Sequence, residues 1–222
     1  GKIITTSSTN VDTTTLSSLN WNLDTSSGTK IAEYKFDKSI WNSLVPAFNE
    51  GYSGYFVNDR IEDEVNNPNI VTRELVGYGE LPSVIKFGLD NGTSNSTDRE
   101  LSLIEVINLN TGNLNTGKRM FAYCRRVEKI NTSNWNTSKV TDMYDMFNGC
   151  NNLTSLDVSN FNTINVTSMA YMFNNCHLLT SLDVSNFDTS NVTTMQGMFQ
   201  NCNKLTSLDV SNFDTSNVTN MG

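Results

Sequence analysis

The chain repeats itself every 26 residues, and that period limits its fold more than any other feature. Cys124, Cys150, Cys176 and Cys202 keep the step, as do Met143, Met169, Met195 and Met221, and Val140, Val166, Val192 and Val218. A period between 20 and 50 residues marks a solenoid, a propeller or an array. Carried backwards, the step takes Ile130 to Ile104, Trp135 to Leu109 and Val140 to Leu114. The repeat region is therefore expected to open near Arg99 with a degenerate first copy.

Each copy reads in two halves. In "VTSMAYMFNNC" the apolar residues Val166, Met169, Met172, Phe173 and Cys176 form the stripe of a short amphipathic helix. In "LTSLDVS" Leu153, Leu156 and Val158 face inwards with Asp157 outwards, the pattern of a strand with one buried face. "NFDTSN" supplies turn chemistry. Strands of successive copies would lie parallel at about 4.7–4.9 Å, stacking equivalent side chains into ladders. Trp135, Phe161, Phe187 and Phe213 would make an aromatic spine. The fold class expected is a leucine-rich-repeat solenoid, one parallel strand plus one short helix per 26-residue coil.

The pattern "MFxxCxxLTSLDVSNFDTSNVTxM" resembles the BspA-like leucine-rich repeats of bacterial surface proteins. The resemblance spans about residues 99 to 222 and is most specific over 143 to 221. It implies a non-catalytic, extracellular role in adhesion or recognition at the bacterial cell surface, without naming a ligand. Related repeats are displayed equally well by a phage or bacteriocin tail. The first copy departs from the pattern: Gly117 stands where later copies have Met, and Asp98 where they have Cys.

The composition fits that reading. Lys and Arg number 15 against 23 Asp and Glu, a balance that argues against a nucleic-acid partner. No apolar run is long enough to cross a membrane. Gly1 is not an initiator methionine, so a leader or anchor is expected to have been removed from view. Cysteines 26 residues apart form no Cys-x-x-Cys, and the sole histidine is His177, which leaves neither a zinc site nor any other cofactor or metal to expect. Ladder side chains point the same way, whereas a disulfide needs a twist of about 90°. Buried free thiols are the expectation.

The first 98 residues differ. Residues 1–29 are Ser/Thr/Asn-rich and read as an arm or linker. Residues 30–98 turn strand-like in "IAEYKF", "YFVNDRIEDEV", "NIVTREL" and "PSVIKFG", and read as a small β-rich domain capping the solenoid. "GYSGYF" reads as core rather than a sugar-stacking platform, and "DRIEDEV" as a solvated acidic face rather than a calcium site. Residues 99–222 hold about 4.7 copies. The chain stops at "SNVTNMG", where the next copy has only begun. That predicts a truncated piece of a longer solenoid, with an uncovered end open to end-to-end self-association.

No enzyme is expected. His177 occupies a position that Arg125, Asn151 and Asn203 share in other copies, which suits a solvent-facing site better than a general base. No nucleophile elbow or phosphate loop is present. Binding remains. The outward strand positions form three rows: Lys129, Ser155, Ser181 and Ser207; Asn131, Asp157, Asp183 and Asp209; and Ser133, Ser159, Ser185 and Ser211. Leu103, Glu105 and Ile107 extend them into the first copy. Such a face is flat, hydroxyl-rich and acidic, while Lys118, Arg119, Arg125 and Arg126 gather at the other end. It suits a cell-surface or host protein or glycan, or else it solvates a structural spacer. Stacked about 5 Å apart, Asp157, Asp183 and Asp209 would repel by about 0.8 kcal/mol per pair in bulk water.

Overall fold

In a computed structural model of the chain, residues 28–40, 46–48, 55–61, 68–77, 80–88 and 102–222 are described. Residues 1–27 of the arm expected over 1–29, "GYSG" at 51–54, the acids at 62–64 and Asp98 and Arg99 lie outside them, while Thr29 already belongs to a strand. Among the described residues seven strands run in chain order: β1 Thr29–Asp37, β2 Ala47–Phe48, β3 Tyr55–Ile61, β4 Ile70–Gly77, β5 Ile85–Lys86, β6 Leu103–Leu109 and β7 Lys129–Ile130. Five of them make one sheet in the order β3-β4-β1-β6-β7, and β2 pairs with β5 separately.

β1 occupies the middle of the sheet because its sequence alternates. Ile31, Ala32, Tyr34 and Phe36 are buried, while Lys35 reaches out to Glu105 at 3.1 Å. It is antiparallel to β4 and to β6, whereas β6 and β7 run parallel. The β-rich N-terminal segment thus joins the first copy of the repeat edge to edge, through backbone pairing. Residues 85–88 seal the same junction. Phe87 and Gly88 both donate from the backbone to the Met120 carbonyl, at 2.7 and 3.0 Å. The Phe87 ring stacks on Phe121 with centroids 5.5 Å apart. A Cβ on Gly88 would sit 2.4 Å from the Ala122 nitrogen, so only glycine permits this approach.

The first copy is shorter than the period implies. Val106 pairs with Ile130 and Glu105 with Lys129, a step of 24. The backbone N–H of Asn136 donates to Thr111 Oγ1, one copy before Asn162 donates to Thr137 Oγ1, which restores the 26-residue step. Two residues are therefore missing between strand and threonine in the first copy. β6 also carries register shifts against β1, between Glu33 and Tyr34 and between Lys35 and Phe36. These break the alternation: Leu103, Val106 and Leu109 are buried. The expectation that Leu103 faces outwards is corrected accordingly.

Beyond residue 113 the chain stacks coil on coil. The segment read as a short helix forms no helix at 140–150, 166–176 or 192–202; it is a run of turns. Alternate residues donate to the next coil, Met143 to Ser168, Asp145 to Ala170, Phe147 to Met172 and Gly149 to Asn174, at 2.8–3.0 Å. The residues between them close four-residue turns, as Met146 does on Met143 and Cys150 on Phe147. Such a path needs left-handed backbone twice per coil. Positive φ falls at Arg119, Asp145, Tyr171 and Gly197, and at Tyr123, Gly149, Asn175 and Asn201, both series at the 26-residue step. A stripe with helical spacing arises here because tandem turns also bring every third residue inwards.

The expected strands are similarly reduced. In the later coils the strand half contributes the single bridge between Ser155 and Ser181. Side chains take over its pairing. The Asn186 amide donates to the Val158 and Phe161 carbonyls at 3.0 and 2.9 Å, Asn212 does likewise to Val184 and Phe187, and Asn160 donates to the Thr132 and Ser133 carbonyls. Thr163, 1% exposed, donates to the Asp188 carbonyl at 2.9 Å and accepts from the Asp188 N–H at 2.8 Å. Buried polar groups must be paired in this way.

Two aromatic columns fill the interior, where the sequence reading anticipated one. Trp135, Phe161 and Phe187 stack at 5.6 and 6.4 Å. Beside them Phe121, Phe147, Phe173 and Phe199 stack at 5.7 Å per step, with planes within 6°. Cys150, Cys176 and Cys202 each donate a thiol hydrogen bond to a phenylalanine carbonyl of the coil before. None of the four cysteines forms a disulfide, and burial pushes the Cys150, Cys176 and Cys202 thiols up. Burial falls away in the last coil, where Leu205, Leu208 and Phe213 are half-buried and Val210 and Met221 exposed.

Phe173→Ala should cost about 3–5 kcal/mol, as large-to-small changes in a packed core do, measured by denaturant unfolding. Alkylation in denaturant without reductant should add four labels, and in the native state Cys202 should react before the other three. Two or fewer labels in denaturant would show disulfides and refute the thiol ladder.

Candidate functional site: a hydroxyl-lined depression on the strand half

All twelve residues of the three predicted rows are exposed. The structure brings five of them together. Ser155, Ser181, Ser207, Asp183 and Asp209 line a shallow open depression of about 400 Å³, floored by Leu156, Leu182 and Val184. The serines align because Ser155 and Ser181 are bridged in parallel, which holds neighbouring coils in register at this level. The floor residues Leu156, Leu182 and Val184 are buried, at 7, 8 and 1% exposure, in keeping with the inward-facing pattern read for Leu156. Their alternation marks them as inward-facing. Without a full strand here, however, the small serine side chains leave the edges of the larger ones uncovered.

Lys129, Asn131, Ser133, Asp157, Ser159, Ser185 and Ser211 lie outside the depression. The third row is occupied by local chemistry. The backbone N–H of Ser159 donates to Asp157 Oδ1 at 2.9 Å, Ser185 to Asp183 at 3.0 Å and Ser211 to Asp209 at 2.9 Å. These are Asx turns, in which a carboxylate caps the backbone two residues on. Asn131 makes the same turn with Ser133 at 3.0 Å, and its amide also donates to the Ile107 carbonyl.

The turns decide the charge state of the row. The serine two residues on, through its hydroxyl and its N–H, holds the Asp157, Asp183 and Asp209 carboxyls below their ordinary range. Repulsion from the next aspartate opposes this for Asp157 and Asp183 and is the weaker effect. The sequence reading had repulsion as the leading feature of this row, and local hydrogen bonding outweighs it. Among the described residues no group of three or more His, Cys, Asp or Glu is placed to hold a metal ion. His177 is half-exposed, with Nδ1 3.0 Å from the Asn201 carbonyl.

The depression can therefore accept and donate hydrogen bonds through hydroxyls, offer carboxylates to a donor, and cover a small apolar face. Residues 113–222 match the family model described as "Mycoplasma protein of unknown function, DUF285". The matched segment is the stack of coils and includes the depression. No curated protein and no solved structure matches the chain. No described helix is long and apolar enough to cross a membrane.

The aspartate turns set a pH dependence. A carboxyl with a depressed pKa in the folded state contributes stability above its unfolded pKa, about 3.9 for Asp, and loses it as pH falls through the folded value. The melting temperature should fall on acidification from about pH 5 to pH 2, and Asp183→Asn combined with Asp209→Asn should flatten the fall. A melting temperature that rose in acid would show that repulsion dominates the row.

Proposed function

We propose that the chain is a non-catalytic recognition module of an extracellular bacterial surface protein. It binds a cell-surface or host ligand, protein or glycan, on the strand half of its coils. The observation that carries this reading is the depression itself, where a stacked row of serines and carboxylates lies over an apolar floor. Small polar groups above an apolar patch suit polyhydroxylated ligands, which present hydroxyls at their edges and apolar faces between them. The stacked 26-residue coils and the "LTSLDVSNF" repeats fit a solenoid of the BspA-like leucine-rich-repeat type. A phage or bacteriocin tail would use the same surface for receptor binding. The rival reading, a spacer, draws on the identity of the "TSLDVSNF" stretch at 154–161, 180–187 and 206–213.

A screen of the whole chain against immobilised glycans and host extracellular proteins tests the proposal. At least one ligand should be retained, and Ser181→Lys with Ser207→Lys should abolish its binding without lowering the melting temperature. A chain that binds nothing, or whose binding survives both changes, is a spacer at this face.

A further inference from the structure

The two halves of the coil differ in how strictly they repeat. The turn half varies: Tyr123, Tyr144 and Tyr171 stand where the next copies have Gly149, Ala170 and Gly197. The strand half is uniform, with "TSLDVSNF" in three successive coils.

Many polar side chains of the uniform half hold one coil to another. Thr163 and Thr189 donate to the Asp188 and Asp214 carbonyls, and Asn186 and Asn212 to those of Val158 and Val184, at 2.9–3.2 Å. The hydroxyls of Ser155, Ser181 and Ser207 bond to no described residue, and all three are exposed along the depression. Asp183 and Asp209 also have capacity to spare. A carboxylate can accept about four hydrogen bonds, and Ser185 and Ser211 supply at most an N–H and a hydroxyl each. No lysine or arginine lines the depression, so both carboxylates meet a ligand without a counter-charge.

These groups recur from coil to coil at the strand spacing, about 4.8 Å. A face that repeats by translation discriminates poorly among ligands of unique shape. It matches a ligand that repeats with the same step, whose units then add their contacts along the row. The step separates the candidate polymers. An extended polypeptide presents one side every two residues, about 6.6 Å, and drifts by about 1.8 Å at each coil. A polyproline helix turns once in about 9.3 Å and meets only every second coil. Nucleic acids and polyuronates are acidic and are repelled by Asp183 and Asp209. A β-1,4-linked pyranose advances by close to one coil per sugar, because its links leave from opposite ends of the ring. With equatorial hydroxyls, such a ring has C–H groups on both faces. Successive rings therefore keep the match although they alternate in facing.

We propose that the depression holds a linear, uncharged polysaccharide of β-1,4-linked pyranoses, laid along the stack with one sugar per coil. Such binding presupposes that the depression is a recognition site, as proposed above. The serine hydroxyls and the carboxylates bond to hydroxyls at the sugar edges, and the side chains of Leu156 and Leu182 cover a ring face.

Calorimetric titration of the whole chain with cello-oligosaccharides of one to six sugars tests this. Affinity should rise roughly fivefold per sugar, the worth of about one net hydrogen bond, and level off beyond three, since the depression spans the coils of Ser155, Ser181 and Ser207. A 1,6-linked glucan of equal length should bind no better than one sugar, and polygalacturonate and polyproline should not bind. Ser181→Lys, at the middle level, should remove the dependence on length while leaving the melting temperature unchanged. Affinity independent of length, equal binding of the 1,6-linked glucan, or preference for polygalacturonate or polyproline would each overturn the proposal. If cello-oligosaccharides fail while another ligand from the wider screen binds and is lost in the Ser181→Lys, Ser207→Lys chain, the recognition reading stands and this inference falls. If nothing binds, both fall.

Discussion

Hydrogen bonding from one coil to the next is the interaction on which the rest of this structure depends. A single 26-residue coil has neither a helix nor a full strand to satisfy its own backbone. The turn half solves this by sending alternate N–H groups to the coil that follows, as Met143, Asp145 and Phe147 do. The strand half solves it with side chains, the amides of Asn160, Asn186 and Asn212 and the buried hydroxyls of Thr137 and Thr163. Each coil is complete only against its neighbour, so stability here is a property of coil interfaces.

That dependence explains the residue types in the repeated positions. Phenylalanines stacked at 5.7 Å and thiols bonded to the carbonyls of the previous coil fill the space between interfaces with the same shape each time. Any side chain that repeats must tolerate its own image one coil away, which favours flat rings, small hydroxyls and unbranched amides. Charges are tolerated where a turn holds them, as Ser185 holds Asp183. The N-terminal sheet meets the same requirement by different means. β1 pairs with β6, and Phe87 extends the phenylalanine column beyond Phe121.

Positions free of the stacking requirement are free to differ, and the tyrosines on the turn half lie among them. The serine rows on the strand half repeat because the fold repeats, and they offer a uniform polar face.

By itself the sequence determined the period, the stacking and the inward residues. A 26-residue step in Cys, Met, Val and Phe marks a solenoid, a propeller or an array, and the ladder of inward residues favours coils whose equivalent side chains meet. The exposure of all twelve row residues was legible from alternation around Leu156 and Val158. Only the tertiary structure decided how each coil is closed. The stripe through Val166, Met169, Met172 and Phe173 has helical spacing, and tandem turns with left-handed residues give the same inward stripe. The choice between them rests on hydrogen bonds to another coil, which no local pattern encodes. The same holds for the first copy, where pairing of Val106 with Ile130 shifts the register by two residues. It holds for Tyr171, whose backbone conformation and orphaned neighbour Asn174 exist only once the coils are stacked.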